Sequence, residues 1–316
     1  MARQTQGFDS LIAFGKEATQ GTAPAAGVFK SWGITSGWEP EVNKNHEPIR
    51  GIGQRTVLNH KALGQEVTST WTGYLQDPRP LWYALGGAVT KTGAANAWVH
   101  TFSSVGRCQE LPTFTVNTSM CINNTPFITN YIGSKVDTLT ISASAGEAVE
   151  VEMEIVSKDA VDNAPAASTY DYPTNEIMTF ADGEVTINGS GTPAANIKEF
   201  ELEFANNLEA LMTISKGITP TYINEGIFDI TGSLTVALSD TATRAAFRAG
   251  TEFTAKFRFD DPTVPANYFE ITLSGAKYDT DSLGIEADGE TDYELDCLFR
   301  TASIKIGSKD ISDITV

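Results

Sequence analysis

The sequence predicts an all-β protein made of two tandem β-sandwich or barrel domains, each flanked by one short α-helix. Three observations lead there. Segments that alternate apolar and polar residues with period two greatly outnumber segments with helical spacing. The stretch Glu66–Gly87 (EVTSTWTGYLQDPRPLWYALGG) has a counterpart in Asp229–Gly250 (DITGSLTVALSDTATRAAFRAG): Thr68, Thr72, Leu75, Asp77 and Gly87 meet Thr231, Thr235, Leu238, Asp240 and Gly250. The pattern GxKxDT then occurs twice, at Gly133–Thr138 and Gly275–Thr280, each followed by a Gly-Glu turn (Gly146-Glu147 and Gly289-Glu290). Two matches in the same order indicate a duplicated unit and divide the chain into residues 1–163 and 164–316.

Residues 1–30 hold few apolar residues and a Gly/Ala/Thr/Pro-rich segment, which reads as an extended arm reaching a neighbouring subunit. Phe29–Trp38 is a strand candidate. Glu39–Gly64 reads as a long polar connection carrying Lys44, Arg50, Arg55 and Lys61 with His46 and His60, against Glu41 and Glu47. A structureless loop of that length is unusual in a compact domain, so a contact role competes with plain solvation. Within Glu66–Leu75, Val67, Trp71 and Leu75 interleave with Thr and Ser as in a half-buried strand. Asp77 and Asp240 are N-caps for short helices over Arg79–Leu85 and Ala242–Ala249, closed by Gly87 and Gly250.

Gly86–Thr101 reads as a Gly/Ala-rich connection, and Phe114–Val116 and Phe127–Tyr131 as short apolar runs. Val136–Ile155 is the clearest hairpin. Its return strand sets Val149, Val151, Met153 and Ile155 on one face and Glu150, Glu152 and Glu154 on the other. Lys158–Tyr172 reads as the linker between the halves. In the second half Phe200, Leu202 and Phe204 alternate with Glu199, Glu201 and Glu203, and Asn206–Gly226 is a shorter version of the first long connection. Phe253–Phe259 alternates, and a last hairpin around Asp288-Gly289 returns through Tyr293, Leu295 and Cys297 against Glu294 and Asp296.

Composition narrows function by exclusion. A net charge of −18 and a pI near 4.5 oppose a surface that grips nucleic acid. Three cysteines without a CxxC spacing give no disulfide framework. The opening MARQTQGFDS lacks the apolar core of a signal peptide, and no apolar run approaches membrane-spanning length. No P-loop, GxGxxG, HExxH or GxSxG is present, and three histidines are few for acid–base or metal work. Neither a catalytic residue nor a cofactor or metal is therefore expected. Asp279–Glu290 imitates a calcium loop at positions one, three, six and twelve, but Leu283 stands where an oxygen ligand is needed. The rows Glu150/Glu152/Glu154 and Glu199/Glu201/Glu203 are either the wet face of an ordinary sheet or a surface of single sign. Holding like charges in rows costs stability, which favours use of their field.

The segment Phe14–Ala23 (FGKEATQGTA) resembles the G-x-E-x-T-x-G-T signature near the N-terminus of many tail tube (major tail) proteins of long-tailed phages and related viruses. The strand, Asp-capped helix and Gly of Glu66–Gly87 follow it as in those proteins. The resemblance implies a tail-tube-like β-sandwich with a flanking helix, assembled into stacked rings around a lumen for DNA. It also implies strands of neighbouring domains joined into an inner barrel, with the N-terminal arm and long loop touching adjacent subunits or the next ring. The partners implied are further copies of the chain and other tail proteins. DNA passes without specific binding and no membrane is involved; the protein resides in the virion tail after synthesis and assembly in the host cytoplasm.

In that setting the acidic rows become lumen-facing, and Lys44, Arg50, Arg55 and Lys61 an inter-subunit or inter-ring contact. Duplication favours a trimer with pseudo-sixfold symmetry over a hexamer carrying its second domain outside. The competing reading is a cell-surface or carbohydrate-binding β-sandwich using Trp32, Trp38, Trp71, Trp82 and Trp98 as sugar platforms; the absent signal peptide counts against it.

Overall fold

Thr, Val, Ile and Phe in period-two alternation dominate the chain, and ladder hydrogen bonds turn those runs into strands that bury every second side chain. The computed structural model describes residues 7–53, 55–167, 175–187, 197–214, 217–237, 249–283 and 292–315. In the first half the strands are β1 (Ser10–Lys16), β2 (Thr35–Asn43), β3 (His46–Ile49), β4 (Asn59–Ala62), β5 (Glu66–Tyr74), β6 (Thr90–Ala94), β7 (Ala97–Ser103), β8 (Phe114–Ile122), β9 (Thr125–Ser144), β10 (Glu150–Ser157) and β11 (Asp159–Asp162). The second half contributes β12 (Gly183–Ile187), β13 (Ile197–Ala205), β14 (Glu209–Leu211), β15 (Tyr222–Asn224), β16 (Asp229–Ala237), β17 (Phe253–Asp260), β18 (Tyr268–Leu283), β19 (Asp292–Phe299) and β20 (Thr301–Ser308). All pairings are antiparallel, and the sheets do not close into a barrel within one chain.

The pairing scheme occurs twice. In the first half β2 pairs β5, β5 pairs β10, β10 pairs β9, and β9 also pairs β8 and β11, while β8 pairs β1. In the second half β13, β16, β19, β18, β17, β20 and β12 take those places in turn. Registers repeat as well: Thr72 faces Glu152 as Thr235 faces Glu294, which joins the offset of the Glu66–Gly87 match on one strand to that of the GxKxDT match on the other. Gly133 (φ 66°) and Gly275 (φ 65°) occupy the left-handed region just ahead of matching bulges.

The halves are joined twice. β13 pairs β9, so β2-β5-β10-β9-β13-β16-β19-β18 runs as one eight-strand succession. Hairpin β6–β7 of the first half pairs β20 of the second. One large apolar cluster fills the space behind these sheets, with Trp32 stacked between Phe14 and Tyr83 and with Phe200 against Phe257.

Several expectations change. The supposed arm over residues 1–30 contains β1, paired along its whole length with β8 and burying Ala13 and Phe14. The run is short and sits at a sheet edge, so its partner decides it. Glu39–Gly64 is not a structureless loop: residues 39–43 belong to β2 and the rest carries hairpin β3–β4. Gly86–Thr101 is mostly hairpin β6–β7, and the linker expected from Lys158 begins with β11 on β9. Helix α1 (Arg79–Leu85) forms as expected, but its N-cap is Pro78, which has no side-chain acceptor, rather than Asp77; one residue earlier, the Asp77 carboxylate accepts the Arg79 N–H at 2.8 Å. Its left-handed cap is Gly86 (φ 69°) rather than Gly87. The helix expected over Ala242–Ala249 lies almost wholly outside the described residues.

Candidate functional site

Alternation in the eight-strand sheet sends Val67, Trp71, Leu139, Val151, Met153, Phe200, Leu202 and Leu295 into the core and the intervening residues to the opposite face. The structure brings both predicted Glu rows together on that face. Glu150, Glu152 and Glu154 of β10 are exposed, as are Glu199 and Glu201 of β13, with Glu203 half-buried. The registers add Glu39 and Glu41 of β2 and Asp229 at the start of β16, which sequence reading missed, and bring in Glu294 and Asp296 of β19, which the alternation with Tyr293, Leu295 and Cys297 had already set on the wet face. Glu39 and Glu41 alternate around Trp38 and Val42, but Pro40 between them reads as a loop residue; β2 is an edge strand, which tolerates it.

The acids follow a rule. Strands carrying rows (β2, β10, β13, β19) alternate with strands presenting mainly Ser and Thr (β5, β9, β16, β18), where Glu66 and Asp229 stand only at the first positions of β5 and β16. Glu152 lies between Thr72 and Thr140, and Glu201 between Ser142 and Ser233. Rows are thus two strand spacings apart, about 9.6 Å, close to a Debye length at 0.1 M salt. Mutual repulsion is softened while the face as a whole stays negative. Within the rows the registers place no Lys or Arg among these acids.

Lys44, Arg50, Arg55 and Lys61, the predicted contact residues, are all exposed along and around hairpin β3–β4. Among the described residues none of them forms a salt bridge. The same hairpin and its flanks expose Ile49, Ile52, Leu58 and Leu63, an apolar content that its polar neighbours hid in the sequence. Hairpin β14–β15 holds the equivalent place in the second half but is anchored, with Ile223 buried.

The FGKEATQGTA segment is built for packing. Buried Glu17 accepts hydrogen bonds from Gly21 N–H (2.7 Å), Thr115 Oγ1 (2.6 Å) and Gly133 N–H (2.8 Å), tying β1 to β8 and to the bend of β9. Burial pushes its carboxyl above the ordinary range, and these three donors oppose that shift. A Cβ on Gly15 would collide with Pro24 and Phe29.

Other chemistry finds little to work with. Asp279–Leu283 lies in extended β18, and the remainder of the calcium-like stretch lies outside the described residues. No cluster of three potential metal ligands occurs among the described residues. Trp32, Trp71 and Trp82 are core residues, which removes them as sugar platforms. No described helix is long and apolar enough to cross a membrane.

The family model for phage tail tube protein matches residues 7–310. No curated protein matches the sequence. Among solved structures the chain is similar to the tail tube of SPP1, at 11% identity and a TM-score of 0.24, over 55% of this chain and 78% of that one. A family match over nearly the whole chain carries the conclusion: this chain belongs to the phage tail tube proteins, structural and non-enzymatic components of the virion tail.

Proposed function

We propose that three copies of this chain close a ring, that rings stack into a tube, and that the acidic sheet face lines the lumen through which viral DNA slides. The repeating units are the halves 1–163 and 164–316, so three chains present six equivalent units. The observation that carries this reading is the pairing of β13 with β9. It puts both halves in one sheet with their acids on one face, which is unlike a second domain hung on the outside.

Eight strands from each of three chains, spaced about 4.8 Å apart, make a wall roughly 40–50 Å across, wide enough for a DNA duplex. A wall of single sign repels phosphates at short range and gives the duplex no site at which to stop. The exposed cations of hairpin β3–β4 meet acidic surface on an adjacent chain or ring. Other tail proteins cap the tube, and assembly takes place in the host cytoplasm. Nothing in the packing favours the carbohydrate-binding alternative.

Negative-stain electron microscopy of the purified protein tests the proposal: stacked rings with a central hole are expected. A hole-free particle that stays monomeric at every concentration, with or without tail-tip components, would overturn it.

A further inference from the structure

The joint between the two halves consists of a strand, a left-handed Asn and a hairpin, received by a GxKxDT bend. β13 lies on the upper part of β9 with Ala205 opposite Thr138 and Glu203 opposite Thr140. The chain then turns through Asn207 (φ 51°). Asn206 N–H donates to the Asp137 carbonyl at 2.7 Å, and Leu208 N–H to the Asp137 carboxylate at 2.7 Å. Hairpin β14–β15 closes over buried Lys135, whose ammonium donates to the Ile223 carbonyl at 2.9 Å and to Glu225 at 2.6 Å.

Each part has a counterpart without a described partner. β2 stands for β13, with Glu39 and Glu41 in the places of Glu201 and Glu203. Asn45 (φ 43°) repeats Asn207, and β3–β4 repeats β14–β15. On the receiving side β18 stands for β9, with Lys277, Asp279 and Thr280 in the places of Lys135, Asp137 and Thr138. Among the described strands nothing pairs with the outer edge of β2, or with Lys277–Leu283 on the side away from β19.

The packing behind the two edge strands differs accordingly. Phe200, beside β9, is buried against Phe257 and Phe259. Its counterpart Trp38 is half-buried next to an open cleft of about 530 Å³ that Ile12, Ile34 and Met120 help to line. An exposed edge backed by an apolar cleft is incomplete in a lone chain.

We infer that β2 and hairpin β3–β4 of one chain dock on β18 of a second copy in the register that β13 takes on β9. The inference rests on the ring reading and specifies its seam. Asn43 lies opposite Thr280 and Glu41 opposite Ser282 of the neighbour, with one ladder bond fewer than the joint within the chain because Pro40 stands where β13 has Leu202. The Lys44 N–H donates to the neighbour's Asp279 carbonyl, and the His46 N–H to that aspartate's carboxylate. Hairpin β3–β4 covers Lys277, presenting the His60 carbonyl where β15 presents that of Ile223. Ala62 takes the place of Glu225, so the seam between chains lacks the ion pair of the joint within them.

Disulfide trapping tests the register. In full-length protein with Cys108→Ser and Cys121→Ser, the pair Asn43→Cys with Thr280→Cys should form reducible chain-to-chain links on oxidation. Thr138→Cys with Ala205→Cys, the template pair, should link within one chain. The slipped pair Glu41→Cys with Thr280→Cys should link at least tenfold more slowly. Rings that form, with the template pair linking and the Asn43/Thr280 pair not, would overturn the seam and leave the ring reading intact. Failure of unmodified protein to form rings would overturn both. Hydrogen exchange on unmodified protein gives an answer free of folding effects: residues 39–46 and 277–283 should gain protection on assembly. Rings without that gain would also overturn the seam.

Discussion

Replacing Lys135 by methionine is expected to lower the stability of the folded chain by about 2–3 kcal/mol, read as a fall in the denaturant midpoint at unchanged slope. The side chain is buried, and its ammonium satisfies the Ile223 carbonyl and the Glu225 carboxylate at once. Methionine keeps the volume but leaves both acceptors without their donor. Glu225 retains some solvent and the Leu111 N–H at 3.0 Å, which is why the expected loss falls below that of a fully buried pair.

The effect has a pH signature. Burial alone would raise the Glu225 carboxyl, but the Lys135 hydrogen bond and charge outweigh it and hold the group below the usual carboxylate range. A folded-state value below the unfolded one contributes stability that is whole above the unfolded value near 4.5 and is lost as pH falls through the folded value. The gap between wild type and Lys135→Met should therefore be full at pH 7 and shrink below about pH 4.5. A gap independent of pH would mean that methionine acts through packing alone.

Reversing the acidic face is expected to turn a sliding surface into a binding one. The variant Glu152→Lys, Glu154→Lys, Glu201→Lys, Glu203→Lys exchanges four negative charges for four positive ones at the centre of the sheet face. Assembled wild-type tubes should retain no double-stranded DNA. Variant tubes should retain it at 50 mM salt and release it as salt rises, log K falling with log salt by about 0.9 for each phosphate contacted. Reversing exposed acids elsewhere, such as Glu110 and Glu176, should leave DNA passage through the lumen unchanged. Variant tubes that assemble normally yet hold no DNA would place the rows outside the lumen. Substituting glutamine at these positions removes like-charge repulsion and should raise stability slightly.

Much of this was legible from residues. Strict alternation over Glu150–Ile155 and Lys198–Phe204 fixes which side chains point to the core, because a one-residue slip would bury carboxylates. The two sequence matches, Thr72 with Thr235 and Thr138 with Thr280, together reproduce the repeated strand registers, since register is what keeps such spacing in place. β1, β3–β4 and β6–β7 were illegible for one shared reason: each is short, polar or Gly-rich, and is a strand only because a distant segment supplies its ladder. In the sequence β9 reads as separate runs because Asn130, Ser134 and Lys135 interrupt it. In the fold it bends there from one sheet into the other, and those polar groups are satisfied by Asn117, Ser157 and Ile223. Nor could the sequence show that both Glu rows share a face, since that depends on β13 pairing with β9 across the two halves.

The mass of a single assembled ring, measured by native mass spectrometry or mass photometry on dissociating tubes, bears most directly on the proposed architecture. Three times the 34.0 kDa chain mass is the expected value, with cross-sections showing threefold symmetry that approximates sixfold. A ring of six chains, with the second half of each chain outside the wall, would contradict it.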